Sequence, residues 1–166
     1  MKLTEHRWVH AIWCDDIRQE VGNKPSFMGV YTSSLVVPSL PTVLPRLAVC
    51  VNVWTPKTQP FKTLNVRICS NEDEKPLAAI EVVSDALAGA LSQGQTLERS
   101  GGEKVASEPS ALGFSFILLL GQLPLKEATQ WLKVWVDTES EVLESFKLLI
   151  DTPASVEMLN AGPVEA

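Results

Sequence analysis

The stretch from Ala11 to Tyr31, AIWCDDIRQEVGNKPSFMGVY, joins an apolar segment, a cluster of charges and a tight turn that leads into a second apolar segment. Gly22 stands at the first central position of a two-residue loop, where a type II′ turn requires a positive φ. This turn predicts an antiparallel hairpin whose register places Arg18 opposite Phe27. The stretch therefore predicts β-structure close to the N-terminus.

The charged cluster of this stretch comprises Asp15, Asp16, Arg18 and Glu20. Side chains alternate across a strand, so Asp16, Arg18 and Glu20 share one face, and a guanidinium between two carboxylates predicts a salt ladder that fixes the register. The same cluster is also the candidate site of a small hydrolase, because carboxylates act as general acids and bases. Asp15 and Asp16 point to opposite faces of a strand, however, which favours the structural interpretation.

The cluster belongs to a longer run, Ala11-Ile12-x-Cys14-Asp15-Asp16-x-Arg18-x-Glu20. Two short patterns follow this run, Gly29-Val30-Tyr31 and Leu44-Pro45-x-Leu47. Together they resemble a family of small uncharacterised bacterial and prophage-borne proteins that is classed as a domain of unknown function. The resemblance extends more loosely to residues 131–150. It implies a compact all-β domain and an accessory role in phage or prophage biology, and it implies no activity, cofactor or catalytic residue.

The composition of the chain is that of one globular domain, with 166 residues of which 45% are hydrophobic and 20% charged. A formal charge of −6 opposes binding to nucleic acid or to an anionic membrane, since both are bound through clustered positive charge. Three cysteines, and an N-terminus without an apolar signal segment, predict a cytoplasmic chain with reduced thiols.

About eight segments of alternating polarity predict an all-β fold, an antiparallel two-sheet β-sandwich that is immunoglobulin-like or C2-like, with at most one short helix from Ser84. The domain is expected to cover residues 1–151, with a mobile insertion at about 92–110 and a flexible tail at 152–166. The strand at 112–121 is apolar on both faces and is predicted to be central. The predicted core comprises Val49, Val51, Val53, Leu64, Val66, Ile68, Ile80, Val82, Phe114, Phe116, Leu118, Val134, Val136, Phe146 and Leu148.

No metal site or other cofactor is expected, because His6, His10 and Cys14 would lie about 13 Å apart along an extended strand and could not share one ion. Function is instead expected at outward tryptophans. Because alternate residues of the strand at 131–136 point inward, Trp131 and Trp135 point outward, on either side of Lys133. Trp54 points outward from its own strand for the same reason. These four residues predict a surface for a homodimer or a protein partner, and hence a non-enzymatic binding or assembly module.

Overall fold

The computed structural model describes residues 6–22, 24–71, 75–82, 87 and 111–154. Within these residues the chain forms ten strands: β1 (Trp8–Glu20), β2 (Lys24–Tyr31), β3 (Ser34–Val36), β4 (Thr42–Pro56), β5 (Leu64–Ser70), β6 (Ala78–Val82), β7 (Ala111–Leu125), β8 (Trp131–Thr138), β9 (Val142–Glu144) and β10 (Leu148–Asp151). The predicted mobile insertion lies outside the described residues, as do the predicted helix, apart from Leu87, and most of the predicted tail.

The strands form two sheets, and the predicted all-β sandwich is confirmed. The four-stranded sheet has the order β2-β1-β4-β7 and is antiparallel throughout. The six-stranded sheet has the order β3-β10-β8-β5-β6, with β9 beside β8, and its β3–β10 pair is parallel. The chain leaves the first sheet after Tyr31 and enters the second at Ser34, so the segment that follows the hairpin connects the two sheets.

The core lies between the sheets and is built from the predicted alternation. Val49, Val51 and Val53 of β4 are fully buried against the β5 and β8 side chains of the opposite sheet. The prediction that Phe146 belongs to the core is wrong, since this residue is 90% exposed. The reason is local. Phe146 lies between β9 and β10, where the pairing with β8 is interrupted and the Ser145 hydroxyl accepts a hydrogen bond from the backbone N–H of Val134 at 3.1 Å.

Two further expectations about pairing are corrected. The hairpin closes with a three-residue loop, because Glu20 pairs with Lys24, so Arg18 faces Ser26 and not Phe27. The positive φ expected at Gly22 is found, at 84°. In addition, β7 lies at the edge of the four-stranded sheet, and the two central strands are β1 and β4, both of which contribute residues to the apolar clusters on the two faces.

One buried cation joins the two sheets. The side chain of Arg7, just before β1, is 5% exposed. Its guanidinium donates to Thr55 Oγ1 at the end of β4 (3.3 Å), to Ser140 Oγ in the β8–β9 turn (2.9 Å) and to the carbonyl of Gln59 (3.1 Å). It also forms an ion pair with Glu139 at 2.5 Å. A buried charge is stable only with such complete pairing, so Arg7 fixes the distance between the sheets at this end.

Glu139 completes this arrangement. Burial by itself raises the pKa of Glu139, but hydrogen bonds from the Arg7 guanidinium and from the backbone N–H groups of Lys62 and Thr63 outweigh burial and lower the pKa to about 2. The carboxylate therefore connects the β8–β9 turn to the segment that enters β5.

Leu132 of β8 is fully buried in the core, and Leu149 of β10 is exposed. Leu132→Ala should lower the free energy of unfolding by about 2–5 kcal/mol, because it leaves a cavity between the sheets. Leu149→Ala, the same deletion in the neighbouring strand, should cost less than about 1 kcal/mol. Urea denaturation of both variants tests this, and equal losses would contradict the assigned faces.

The lowered pKa of Glu139 predicts an acid-dependent loss of stability. An unfolded glutamate titrates near ~4.3, so its contribution is complete above that pH and is lost as the pH falls toward about 2. Glu139→Gln should be less stable than the native chain at pH 7, and the difference should shrink as the pH falls. Denaturation at several pH values measures it. Glu141→Gln, whose carboxylate lies 3.7 Å from Arg7 and is half exposed, is the control and should change little.

Candidate functional site

Asp15 is held by the second strand of the hairpin. The Tyr31 hydroxyl donates a hydrogen bond to Asp15 Oδ1, and the β1–β2 ladder is interrupted where Asp15 passes Gly29. Gly29 has a φ of 64°, and a Cβ atom there would overlap Asp15 Oδ2. Burial, followed by the hydrogen bond to Asp15, raises the pKa of Tyr31 to about 12. Asp15, Gly29 and Tyr31 therefore form one structural unit.

Asp16 has a cationic partner that the sequence analysis did not identify. Its Oδ1 forms an ion pair with Arg46 of β4, and its Oδ2 lies 3.8 Å from Arg18 Nε. One contact of the predicted ladder is thus present, while Glu20 lies exposed opposite Lys24. The guanidinium groups of Arg18 and Arg46 are both largely exposed. The charged cluster is consequently a partly paired surface group at one end of the four-stranded sheet.

A second apolar cluster lies next to these charges, on the side of the four-stranded sheet that faces away from the core. We call this surface the outer face. Cys14, Ala48 and Cys50 are buried in it, and both thiols have a pKa raised chiefly by burial, so they are neutral packing groups. In the strand pairing, Cys14 lies opposite Ala48. Cys50 lies between Ile12 of β1 and Ile117 of β7. The whole cluster comprises Cys14, Ile17, Ala48 and Cys50, with Ile12, Phe27 and Ile117 packed against them.

Aromatic and polar side chains continue the outer face at its other end. The rings of Trp8 and Trp54 are stacked, with centroids 5.5 Å apart and planes 12° apart. Trp54 lies over Gly113, where a Cβ atom would come within 2.8 Å of its ring. In the next row the Ser115 hydroxyl donates to Asn52 Oδ1 at 2.6 Å. The outer face thus runs from an indole pair through a polar row and an apolar centre to the arginines.

The other predicted binding residues lie on the outside of the six-stranded sheet. Lys147 Nζ lies 4.1 Å from the ring centroid of Trp131, and Lys133 Nζ lies 4.6 Å from that of Trp135. Lys133 also forms an ion pair with Glu144. Trp131 is only 8% exposed, and Trp135 is half-buried. Each ring already contacts a cation of its own chain, and a role for this pair at an interface stays a prediction.

Two cavities lie away from the charged cluster. A groove of about 920 Å³ is lined by Lys75, Pro76, Leu77, Leu119, Leu120, Gly121, Gln122, Leu123, Pro124 and Lys126. A smaller cavity of about 190 Å³ is lined by Lys62, Thr63, Leu64, Asn65, Glu81, Val82, Asp137 and Thr138. Over the ranges that the structure describes, no three His, Cys, Asp or Glu side chains are grouped as metal ligands, and no helix is long and apolar enough to span a membrane.

Comparison with known proteins adds no relative: no family model, no curated protein and no solved structure matches the chain. The resemblance of residues 14–20 and 29–31 to a family of uncharacterised prophage-borne proteins therefore stays a prediction. The outer face stands as the candidate site on its geometry alone.

Two glycines with positive φ allow a matched test of the Asp15 unit. Gly22→Ala should cost about 1–2 kcal/mol of stability, because φ is 84° and no atom lies within 4 Å of the new Cβ. Gly29→Ala should cost more, because the new Cβ also displaces Asp15. Thermal or urea unfolding measures both.

Adding Asp15→Ala to Gly29→Ala should reduce the excess loss. If the two single variants are equally stable, Asp15 does not constrain Gly29.

Proposed function

We propose that this chain is a non-enzymatic protein-binding module that binds a protein partner on the outer face of the four-stranded sheet. The observation that carries the proposal is the apolar cluster on the side of this sheet that faces away from the core. A sheet with one solvated face ordinarily alternates apolar inward residues with polar outward residues. Here Ile12, Cys50 and Ile117 form an apolar row across the outward positions of three strands.

The exposed part of this surface has the composition of a protein interface. Val30 lies opposite Cys14 on β2 and is 51% exposed, and Leu119 lies opposite Ala48 on β7 and is 54% exposed. These two exposed side chains stand at the two edges of one row across the sheet, with the buried Cys14 and Ala48 between them. Exposed apolar groups that adjoin an apolar surface mark interaction sites. Interfaces combine a desolvated centre with a polar rim, and tryptophan and arginine are enriched in them. The outer face has indoles at one end and Arg18 and Arg46 at the other.

The paired state of the carboxylates favours this function over the hydrolase. Asp15 accepts from Tyr31, and Asp16 contacts two arginines. The groove of about 920 Å³ and the smaller cavity are both lined by other residues. The proposal includes a cytoplasmic location and an accessory role in phage or prophage biology.

Val30→Arg tests the proposal, with Val36→Arg as the matched control. Both valines are 51% exposed, but Val36 belongs to β3 of the other sheet. The native chain and both variants are immobilised, and proteins captured from the host's lysate are quantified by mass spectrometry. We expect one set of proteins to bind the native chain and Val36→Arg, and to be lost from Val30→Arg. With a purified member of this set, calorimetry should show at least about tenfold weaker binding.

Thermal unfolding should be unchanged in both variants, since each side chain is half exposed. Equal capture by all three proteins, or equal loss in both variants, would show that the outer face is not the binding surface.

A further inference from the structure

We infer that β7 is a dimerisation edge, at which the β7 strands of two copies of this chain pair antiparallel and join their four-stranded sheets into one sheet of eight. β7 is the last strand of its sheet in the described part of the chain. An edge strand carries a row of backbone N–H and C=O groups without ladder partners, which can bind another strand. This inference does not depend on the partner proposed for the outer face.

Between Ala111 and Gly121, β7 differs from the other edges in having no protection against pairing. This part of the strand contains no charged residue, no proline and no residue with a positive φ, whereas Gln122 (φ 50°) and Pro124 interrupt the edge beyond it. Lysine, proline, short length and irregular backbone are the usual devices that block edges. β2 begins with Lys24 and Pro25 and contains Gly29 with a positive φ. β3 and β9 have three residues each, and the five-residue β6 contains Glu81.

Side chains of β7 also remain incompletely covered. Phe114 and Phe116 point toward the core and pack against it, yet both are only half-buried, whereas Val51 and Val53 opposite them on β4 are fully buried. The groove of about 920 Å³ is lined by β7 from Leu119 onward and by residues 75–77, and no β4 residue lines it. A further strand beside β7 would cover both rings and enter this space.

A second copy fits this edge by symmetry and by charge. An antiparallel strand pairs with itself about a two-fold axis perpendicular to the sheet, so both copies use the same surface. Two chains of charge −6 repel each other, and an uncharged strand is where they can approach most closely. Lys75, which is exposed and lines the groove beside β7, adds a positive charge near this edge. Because the other described edges are protected, the association closes at two copies.

Charge variants of β7 test the inference. Ser115 and Leu119 are exposed on β7, and both are changed to lysine in one protein and to glutamate in another. Sedimentation velocity should give a dimer, with twice the chain mass of 18.2 kDa, for the native protein. Each charge variant alone should be a monomer. If the two strands pair about Ile117, residue 115 of one copy lies opposite residue 119 of the other, so two like charges face each other. An equimolar mixture of S115K/L119K with S115E/L119E should restore the dimer.

Ala79→Lys, at an exposed position of the β6 edge, is the control and should leave the dimer intact. Circular dichroism confirms that each variant is folded. A native chain that is monomeric at its highest soluble concentration would overturn the inference. So would a dimer that survives the lysine variant, or a mixture of the folded variants that stays monomeric.

Discussion

The guanidinium of Arg7 is the interaction on which closure of the sandwich depends. Arg7 lies just before β1 of the four-stranded sheet. One of its acceptors lies at the end of β4 in the same sheet, and the others lie in the β8–β9 turn of the six-stranded sheet. Since a buried cation must keep every partner, the separation of the sheets and the position of the turn are fixed together. Phe61 lies 4.8 Å from the guanidinium and seals it from the core side.

Much of the fold could be predicted from the alternation of polar and apolar residues, and the predictions that failed have local causes. Inward residues of β4 and β8 could be identified because period two is unbroken there. Phe146 was misassigned because the Ser145 side chain takes over a backbone role, which no polarity pattern reveals. The hairpin register was wrong by one residue because a glycine with positive φ suits loops of two and of three residues equally. Arg7 escaped notice because a lone arginine before a strand usually indicates a solvated charge.

The candidate site was harder to predict because it is built from strands that are distant in sequence. The strand at 112–121 was recognised as apolar on both faces, but that pattern fits a central strand and an edge strand with an exposed apolar face alike. Strand order decides between them, and order depends on long-range pairing that periodicity does not encode. Arg46 was missed for the same reason, since it faces Asp16 only once the β1–β4 register is known. The signal for the outer face was the run of small residues, Ala48 and Cys50, between the valines of β4.

The parallel pairing of β3 with β10 has a consequence for how the chain is made. It places residues 34–36 beside residues 149–151, so β3 has no partner in its sheet until β10 has been synthesised. β4 likewise lacks its neighbour β7 until a further 55 residues, from 57 to 111, have been synthesised. At about 5–20 residues per second, its apolar faces stay unsatisfied for several seconds on the nascent chain. The topology therefore delays closure of the sandwich until β10 has been synthesised, and the inward face of β4 stays uncovered until then.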